Sequence, residues 1–237
     1  MLNVHRIPGP MAAAYLIETG DALFLVDAGF VGHGRAVLRA IRALGRHADE
    51  LRLALVTHAH LDHFGGLAEL RDVAAFEVGC HPAHVEALAE GRGLVSPAVK
   101  PGWPTYVAIA RRVLPRLRIR GTGPVTALAD GESLHARGLP GRIVHTPGHS
   151  PGCISLLLDE GTAIVGDLVQ GKRLPTRMPE LPSMAVDADV AHASWRHLLD
   201  QGARRLLPAH AACFTAEELL ATMRRDGVEC ESAALLG

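Results

Sequence analysis

The sequence has few cysteines, little aromatic content, no excess of either charge and no long apolar run. Its 4 cysteines are scattered without a CxxC pair, which argues against a disulfide framework or a thiolate zinc site. The 24 basic residues are balanced by 25 acidic ones, so we expect neither nucleic acid nor a membrane as a partner. The N-terminal stretch has no signal-like apolar segment, and we expect a cytoplasmic protein.

Apolar runs and helical patterns alternate along the 237 residues, of which 48% are hydrophobic. Several short runs are bounded by turn residues and predict strands, among them residues 12–17, 22–26, 53–56, 142–145, 153–158, 162–165 and 205–207. Helical spacing occurs over residues 34–44, 66–71, 82–90, 187–199 and 215–225, and Thr215 with Glu218 forms a capping box. Because adjacent strand pairs occur as well as strand–helix alternation, we predict an α/β sandwich of mixed sheets. No linker divides the chain, so we predict a single domain over residues 1–237.

The segment from about residue 91 to 123 differs from the rest in its glycines, prolines and basic residues. We interpret it as a lid-like insertion. Its apolar residues Trp103, Val107 and Ile109 are candidates for the wall of a substrate pocket, although the sequence identifies no specific substrate-binding residue.

Histidine is abundant, with 14 in the chain, and its placement is more informative than its number. His58, His60, Asp62 and His63 fall within six positions directly after an apolar run. In an extended segment, residues two apart point to the same side, so His58 and His60 can bind one ion. Asp62 and His63, beyond the bend, can bind another.

Three further candidate ligands each follow an apolar run, at His149, Asp167 and His210. Side chains at the carboxyl ends of neighbouring strands converge on one edge of a sheet, where α/β folds usually bind ligands. The sequence therefore predicts one cluster of seven metal-binding residues.

The motifs HAHLDH, TPGHSPG, the later Gly-Asp pair and the final Pro-Ala-His together resemble those of the metallo-β-lactamase superfamily. The resemblance covers most of the chain. It implies an αββα sandwich of two mixed β-sheets flanked by helices. It also implies a first metal on His58, His60 and His149, a second on Asp62, His63 and His210, and Asp167 bridging them. Asp27, in FLVDAG, matches the position of an aspartate that supports the metal site.

A binuclear site of this kind would lower the pKa of a shared water to about 7 and so supply hydroxide as the nucleophile. Asp62 is the candidate catalytic residue, as a proton donor to the leaving group. We expect two divalent ions, zinc first, with iron or manganese as alternatives. The expected partner is a small-molecule ester, thioester or lactone, and a homodimer is possible.

Differences between this sequence and particular groups of the superfamily make some activities of the fold less favoured. His60 replaces the glutamate that is typical of flavodiiron reductases, and only 27 residues follow His210, which disfavours a glutathione-binding helical extension. The main alternative is a persulfide dioxygenase that uses a single iron in the first site. A binding module without catalysis is disfavoured because every expected ligand position is filled.

Overall fold

The computed structural model describes residues 2–98, 103–113, 119–171 and 178–228. Its strands are β1 (Leu2–Ile7), β2 (Ala14–Thr19), β3 (Ala22–Val26), β4 (Leu51–Leu55), β5 (Glu77–Cys80), β6 (Thr126–Ala127), β7 (Gly141–His145), β8 (Ile154–Leu158), β9 (Thr162–Gly166), β10 (Gln170–Gly171), β11 (Pro179–Glu180), β12 (Arg205–Pro208) and β13 (Phe214–Thr215). Its helices are α1 (Gly34–Ala43), α2 (Leu61–Phe64), α3 (Leu67–Arg71), α4 (Val85–Ala89), α5 (Pro104–Val113), α6 (Ala188–Asp200) and α7 (Ala216–Arg225). None of these helices is long and apolar enough to cross a membrane.

Two mixed sheets form the centre of the fold. The first has the order β1-β2-β3-β4-β5-β6, antiparallel from β1 to β3 and parallel from β3 to β6. The second has the order β13-β12-β9-β8-β7, in which only β12 and β9 are parallel. The short strands β10 and β11 pair separately. The expectation of mixed sheets is confirmed.

Three apolar clusters separate four layers. Alternate residues of β3 face opposite sides of the first sheet: Phe24 packs between the two sheets, whereas Leu25 packs against the layer that contains α1 and α3. A third cluster joins the outer face of the second sheet to α6 and α7, with Trp195 fully buried in it. Strands covered on both faces are apolar along their length, which explains why the sequence showed continuous runs. The architecture is the expected αββα sandwich.

Several predicted elements agree closely with the structure. β3 has the predicted limits, and α7 begins at the capping box, in which Glu218 N donates to Thr215 Oγ1 at 3.3 Å. Strand β1 was not predicted, because its half-exposed edge position mixes polar with apolar residues. The predicted helix over residues 82–90 is instead a 3-10 turn, Pro82–His84, followed by α4.

The segment expected to be a lid has ordered contacts in its described parts. Leu94 N donates to Ala59 O at 2.8 Å, and Ala98 forms an isolated strand bridge with Met184. Within α5, Val107 is buried but Ile109 is 60% exposed. Residues 99–102 and 114–118 of this segment lie outside the described residues.

Candidate metal centre

The motif after β4 places its side chains through one change of backbone direction. Residues 56–60 continue beyond the strand, and His60 has an extended backbone (φ −83°, ψ 145°) directly before α2. His58 and His60 therefore lie between β4 and the helix, whereas Asp62 and His63 are in the first turn of the helix. His58 and His63 are completely buried, and His60 is 5% exposed.

The first cluster consists of His58, His60, His149 and Asp167. His149 Nε2 lies 3.2 Å from His58 Nε2 and 3.2 Å from His60 Nδ1. Asp167 Oδ2 lies 3.7 Å from His149 Nε2. All four side chains are buried, so the cluster is shielded from water.

The second cluster consists of Asp62, His63 and His210. His210 Nε2 lies 3.5 Å from Asp62 Oδ2, and His63 Nε2 lies 4.0 Å from the same oxygen. Asp167 joins this cluster to the first, because its Oδ1 is 3.2 Å from His63 Nε2 and 3.1 Å from His210 Nε2. The two oxygens of Asp167 thus face different clusters. The structure brings together all seven residues singled out in the sequence.

Each histidine of the two clusters has its outer ring nitrogen next to a fixed partner. The partners are Thr57 Oγ1 for His58 (3.1 Å), Ser96 Oγ for His60 (3.2 Å), Asp27 Oδ2 for His63 (2.7 Å), Met184 O for His149 (2.6 Å) and Met11 O for His210 (3.0 Å). When the outer N–H of His58, His63, His149 or His210 donates to its partner, the other ring nitrogen presents a lone pair to the cluster. Nε2 of His60 instead accepts the backbone N–H of Ser96 at 3.2 Å. Such partners orient imidazole ligands and set their tautomer.

Asp27 is the most connected of these supports. Its carboxylate accepts the His63 Nδ1 proton, the Thr57 backbone N–H at 2.8 Å and the Thr57 hydroxyl at 2.8 Å. Its backbone has a positive φ of 57°, and the residue is 2% exposed. Thr57 Oγ1 also contacts His58, so Asp27 and Thr57 together connect the two clusters.

The electrostatics differ between the clusters. Burial lowers the pKa of His58 and His60 well below the usual histidine value and also lowers that of His149, which favours the neutral form that binds metals. Burial also opposes charge on His63, but the neighbouring Asp27 and Asp167 carboxylates outweigh it and raise the His63 pKa well above its usual value.

Asp167 and His210 each stabilise the charged form of the other and so shift its pKa. The Asp167 carboxylate raises the pKa of His210 despite its burial. Burial alone would raise the pKa of Asp167, yet the His210 and His63 rings hold it well below its usual range. Asp167 is therefore ionised in the pH range of cells.

The donor set fits two metal ions. Two ligand atoms 2.0–2.1 Å from a tetrahedral ion are about 3.3 Å apart. The 3.2 Å separations within the first cluster match this distance. His63 Nε2 and Asp167 Oδ1 are buried without a hydrogen-bond partner among the described residues, although they face each other. Buried polar atoms of this kind require an explanation, and a cation between them would supply one.

Sequence reasoning missed four supports of the site: Thr57, which is next to His58 in the sequence, and the distant residues Ser96, Met11 and Met184. Ser96 is in the segment interpreted as a lid, and nothing in its sequence context signals the contact with His60. Met11 and Met184 act through their backbone carbonyl oxygens, which every residue possesses. The three distant partners can be identified only from the three-dimensional structure.

The sequence model of the metallo-beta-lactamase superfamily matches residues 7–210, which include all seven clustered side chains. The chain belongs to the metallo-beta-lactamase superfamily. The match ends at His210, the last residue of the second cluster, so the superfamily region contains the complete candidate centre.

Two curated superfamily relatives cover much of the chain. The bovine (Bos taurus) protein named acyl-coenzyme A thioesterase MBLAC2 is 32% identical over 230 residues, covering 89% of this chain and 77% of that protein. The Bacillus subtilis protein named probable metallo-hydrolase YflN is 27% identical over 171 residues, covering 70% of this chain and 64% of that protein.

Among solved structures, an archaeal metallo-beta-lactamase superfamily protein from Sulfolobus tokodaii superposes with a TM-score of 0.71. The two are 20% identical, and the match covers 97% of this chain and 88% of the archaeal chain. This likeness confirms the superfamily fold.

Proposed function

We propose that this chain is a hydrolase that holds two divalent metal ions and cleaves an ester, thioester or lactone bond. The observation that carries the proposal is the position of Asp167, whose two oxygens face separate clusters of histidine and aspartate ligands. A carboxylate can bridge two ions about 3.5–4 Å apart. The first ion would bind His58, His60 and His149, and the second Asp62, His63 and His210.

Two divalent ions, when bound here, supply an acidified water and polarise the carbonyl of the substrate. The protein supplies the remaining requirements. Its buried histidines exclude bulk water from the first cluster, and their outer partners fix the ring orientations. Asp62, whose side chain is 15% exposed, is our candidate for proton transfer to the leaving group.

Among the three bond types, the relatives favour a thioester. The bovine relative is named an acyl-coenzyme A thioesterase, and it is 32% identical to this chain. We therefore place acyl thioesters first, with esters and lactones as further candidates. Zinc is the proposed metal because histidine and carboxylate ligands at tetrahedral spacing suit it.

The single domain, the cytoplasmic location and the homodimer remain predictions. The persulfide dioxygenase alternative would use one iron in the first cluster. The second cluster favours the binuclear proposal, since Asp62, His63 and His210 lie together and two of them have dedicated partners in Asp27 and Met11.

The test combines elemental analysis with turnover. We expect two zinc ions per chain and hydrolysis of at least one substrate in a panel of acyl thioesters, aryl esters and lactones. Changing a residue that only supports a metal ligand lowers metal affinity or activity about 10–100-fold. Asp167→Asn replaces the proposed bridging ligand itself and should therefore lower activity by at least about a hundredfold. Asp159→Asn is the matched control, because Asp159 is 48% exposed and pairs with His135 at the surface.

Two results would overturn the proposal. One iron per chain, with oxygen consumption on a persulfide and no ester or thioester turnover, would establish the dioxygenase alternative. Failure to bind any metal after reconstitution with zinc, iron or manganese would remove the metal centre itself.

A further inference from the structure

Three exposed apolar residues belong to segments that contact the ligand-bearing segments of the candidate metal centre. Met11, Val31 and Val186 are 49%, 49% and 51% exposed, respectively. We call these three residues the apolar rim. Isolated exposed apolar residues are common on protein surfaces, so position rather than exposure must decide whether the rim has a role.

Each rim residue is connected through its backbone to a different ligand-bearing segment. Met11 O accepts the Nδ1 proton of His210 at 3.0 Å. Val186 N donates to Gly148 O at 2.7 Å, next to His149.

Val31 lies against Gly65, directly after the helix that carries Asp62 and His63. A Cβ placed on Gly65 would come within 2.7 Å of Val31 N. The three rim residues therefore lie next to three different ligand-bearing segments. Val73 is similarly exposed (48%) but precedes the amino end of β5. It is therefore at the end of the parallel strands opposite the candidate metal centre, which follows the carboxyl end of β4.

The polar ligand clusters and the apolar rim suit different parts of a substrate. The reacting carbonyl must approach the histidine and aspartate ligands. Hydrocarbon gains free energy by leaving water, whereas a charged leaving group does not gain by contact with valine and methionine side chains. The rim is thus suited to the hydrocarbon on the acyl side of the bond.

We propose that the apolar rim binds the acyl chain of the substrate, so that the substrate class is acyl thioesters or esters with chains long enough to extend from the carbonyl onto Met11, Val31 and Val186. This inference rests on the proposed function and deepens it. A methylene that leaves water contributes about fourfold to binding, so chain length should affect kcat/KM strongly.

The experiment uses the zinc-loaded full chain and a series of acetyl, hexanoyl and decanoyl thioesters. For the unchanged protein, we expect kcat/KM for decanoyl to exceed that for acetyl by at least about tenfold. In the triple variant Met11→Ser, Val31→Ser, Val186→Ser, this ratio should fall by at least about fivefold. The substitutions leave the backbone atoms that contact His210, Gly65 and Gly148 in place. Val73→Ser is the matched control and should leave the ratio unchanged.

Binding of acetate and decanoate, measured by calorimetry, separates this inference from the proposed function. Tighter binding of decanoate that the triple variant weakens would support the rim even if no thioester or ester were hydrolysed, in which case only the proposed function would fail. Hydrolysis and binding that are both independent of chain length would overturn the inference. The inference would also be overturned if the unchanged protein were a dimer, the triple variant were a monomer, and the ratio of kcat/KM for decanoyl to acetyl stayed the same. The rim would then contact a second copy of the chain and not the substrate.

Discussion

Asp27→Asn offers a selective test of how the proposed second metal site is held. The side chain has nearly the same size, and asparagine tolerates the positive φ of 57° at this position better than most residues. Its amide, however, has one oxygen and one NH2 group in place of two acceptor oxygens. Asp27 accepts hydrogen bonds from His63 and from the Thr57 N–H and hydroxyl, so an asparagine must present a donor to one of these partners.

The expected size of the effect follows from this mismatch. If the NH2 group faces His63, the ring must move its proton to Nε2, which removes the lone pair directed at the second cluster. A buried donor without an acceptor costs about 1–3 kcal/mol, and supporting residues of metal ligands typically contribute about 10–100-fold to affinity. We therefore expect the second metal to bind about 10–100-fold more weakly, with a much smaller change at the first site.

A competition titration against a chromophoric chelator can resolve the two binding constants. The control is Asp21→Asn, since the Asp21 side chain is 87% exposed and pairs with Arg52. Equal affinities in the Asp27→Asn variant and the unchanged protein would refute the proposed role of Asp27. Equal weakening of both metals would show that the residue supports the fold of the whole centre rather than His63.

Two further predictions concern neighbouring residues. Gly166 has φ +53° and a Cβ there would overlap the Thr57 hydroxyl, so Gly166→Ala should lower both stability and metal affinity. Gly202→Ala, at φ +96° with no atom within 4 Å, should lower stability alone. Denaturant unfolding and metal titration measure the two effects. Burial, helped by His81, lowers the pKa of His84 to about 4. Because the unfolded chain takes up this proton near pH 6.5 and the folded chain does not, the metal-free protein should lose stability from pH 6.5 towards pH 4. His84→Gln should show a smaller loss, and an unchanged loss would contradict this reasoning.

The local pattern after β4 was sufficient to predict that His58, His60, Asp62 and His63 face a common site. An apolar strand followed by closely spaced ligands constrains side-chain direction over only a few residues, where backbone geometry is reliable. His149, Asp167 and His210 were placed by a weaker argument, that strand ends converge on one edge. The structure places all three there because β7, β9 and β12 belong to the same sheet.

Contacts made through the backbone could not be predicted in this way. Met184 and Met11 hold His149 and His210 with carbonyl oxygens, and their side chains take no part. The contact between Ser96 and His60 joins two segments 36 residues apart. The interpretation of residues 91–123 as a lid rested on composition, which indicates irregular backbone but does not show what that backbone contacts.

The candidate centre draws its ligands from both sheets, and this has a consequence for folding. His58 to His63 follow a strand of the first sheet, whereas His149, Asp167 and His210 follow strands of the second. Two hydrogen bonds also join the first sheet to the second. Tyr15 OH donates to Pro208 O at 2.7 Å, and Ala13 N donates to Ala209 O at 3.0 Å. These bonds position the segment that leads to His210. We therefore expect much of the geometry to be built into the packed sandwich, so that binding of the proposed metals would add to the folding free energy.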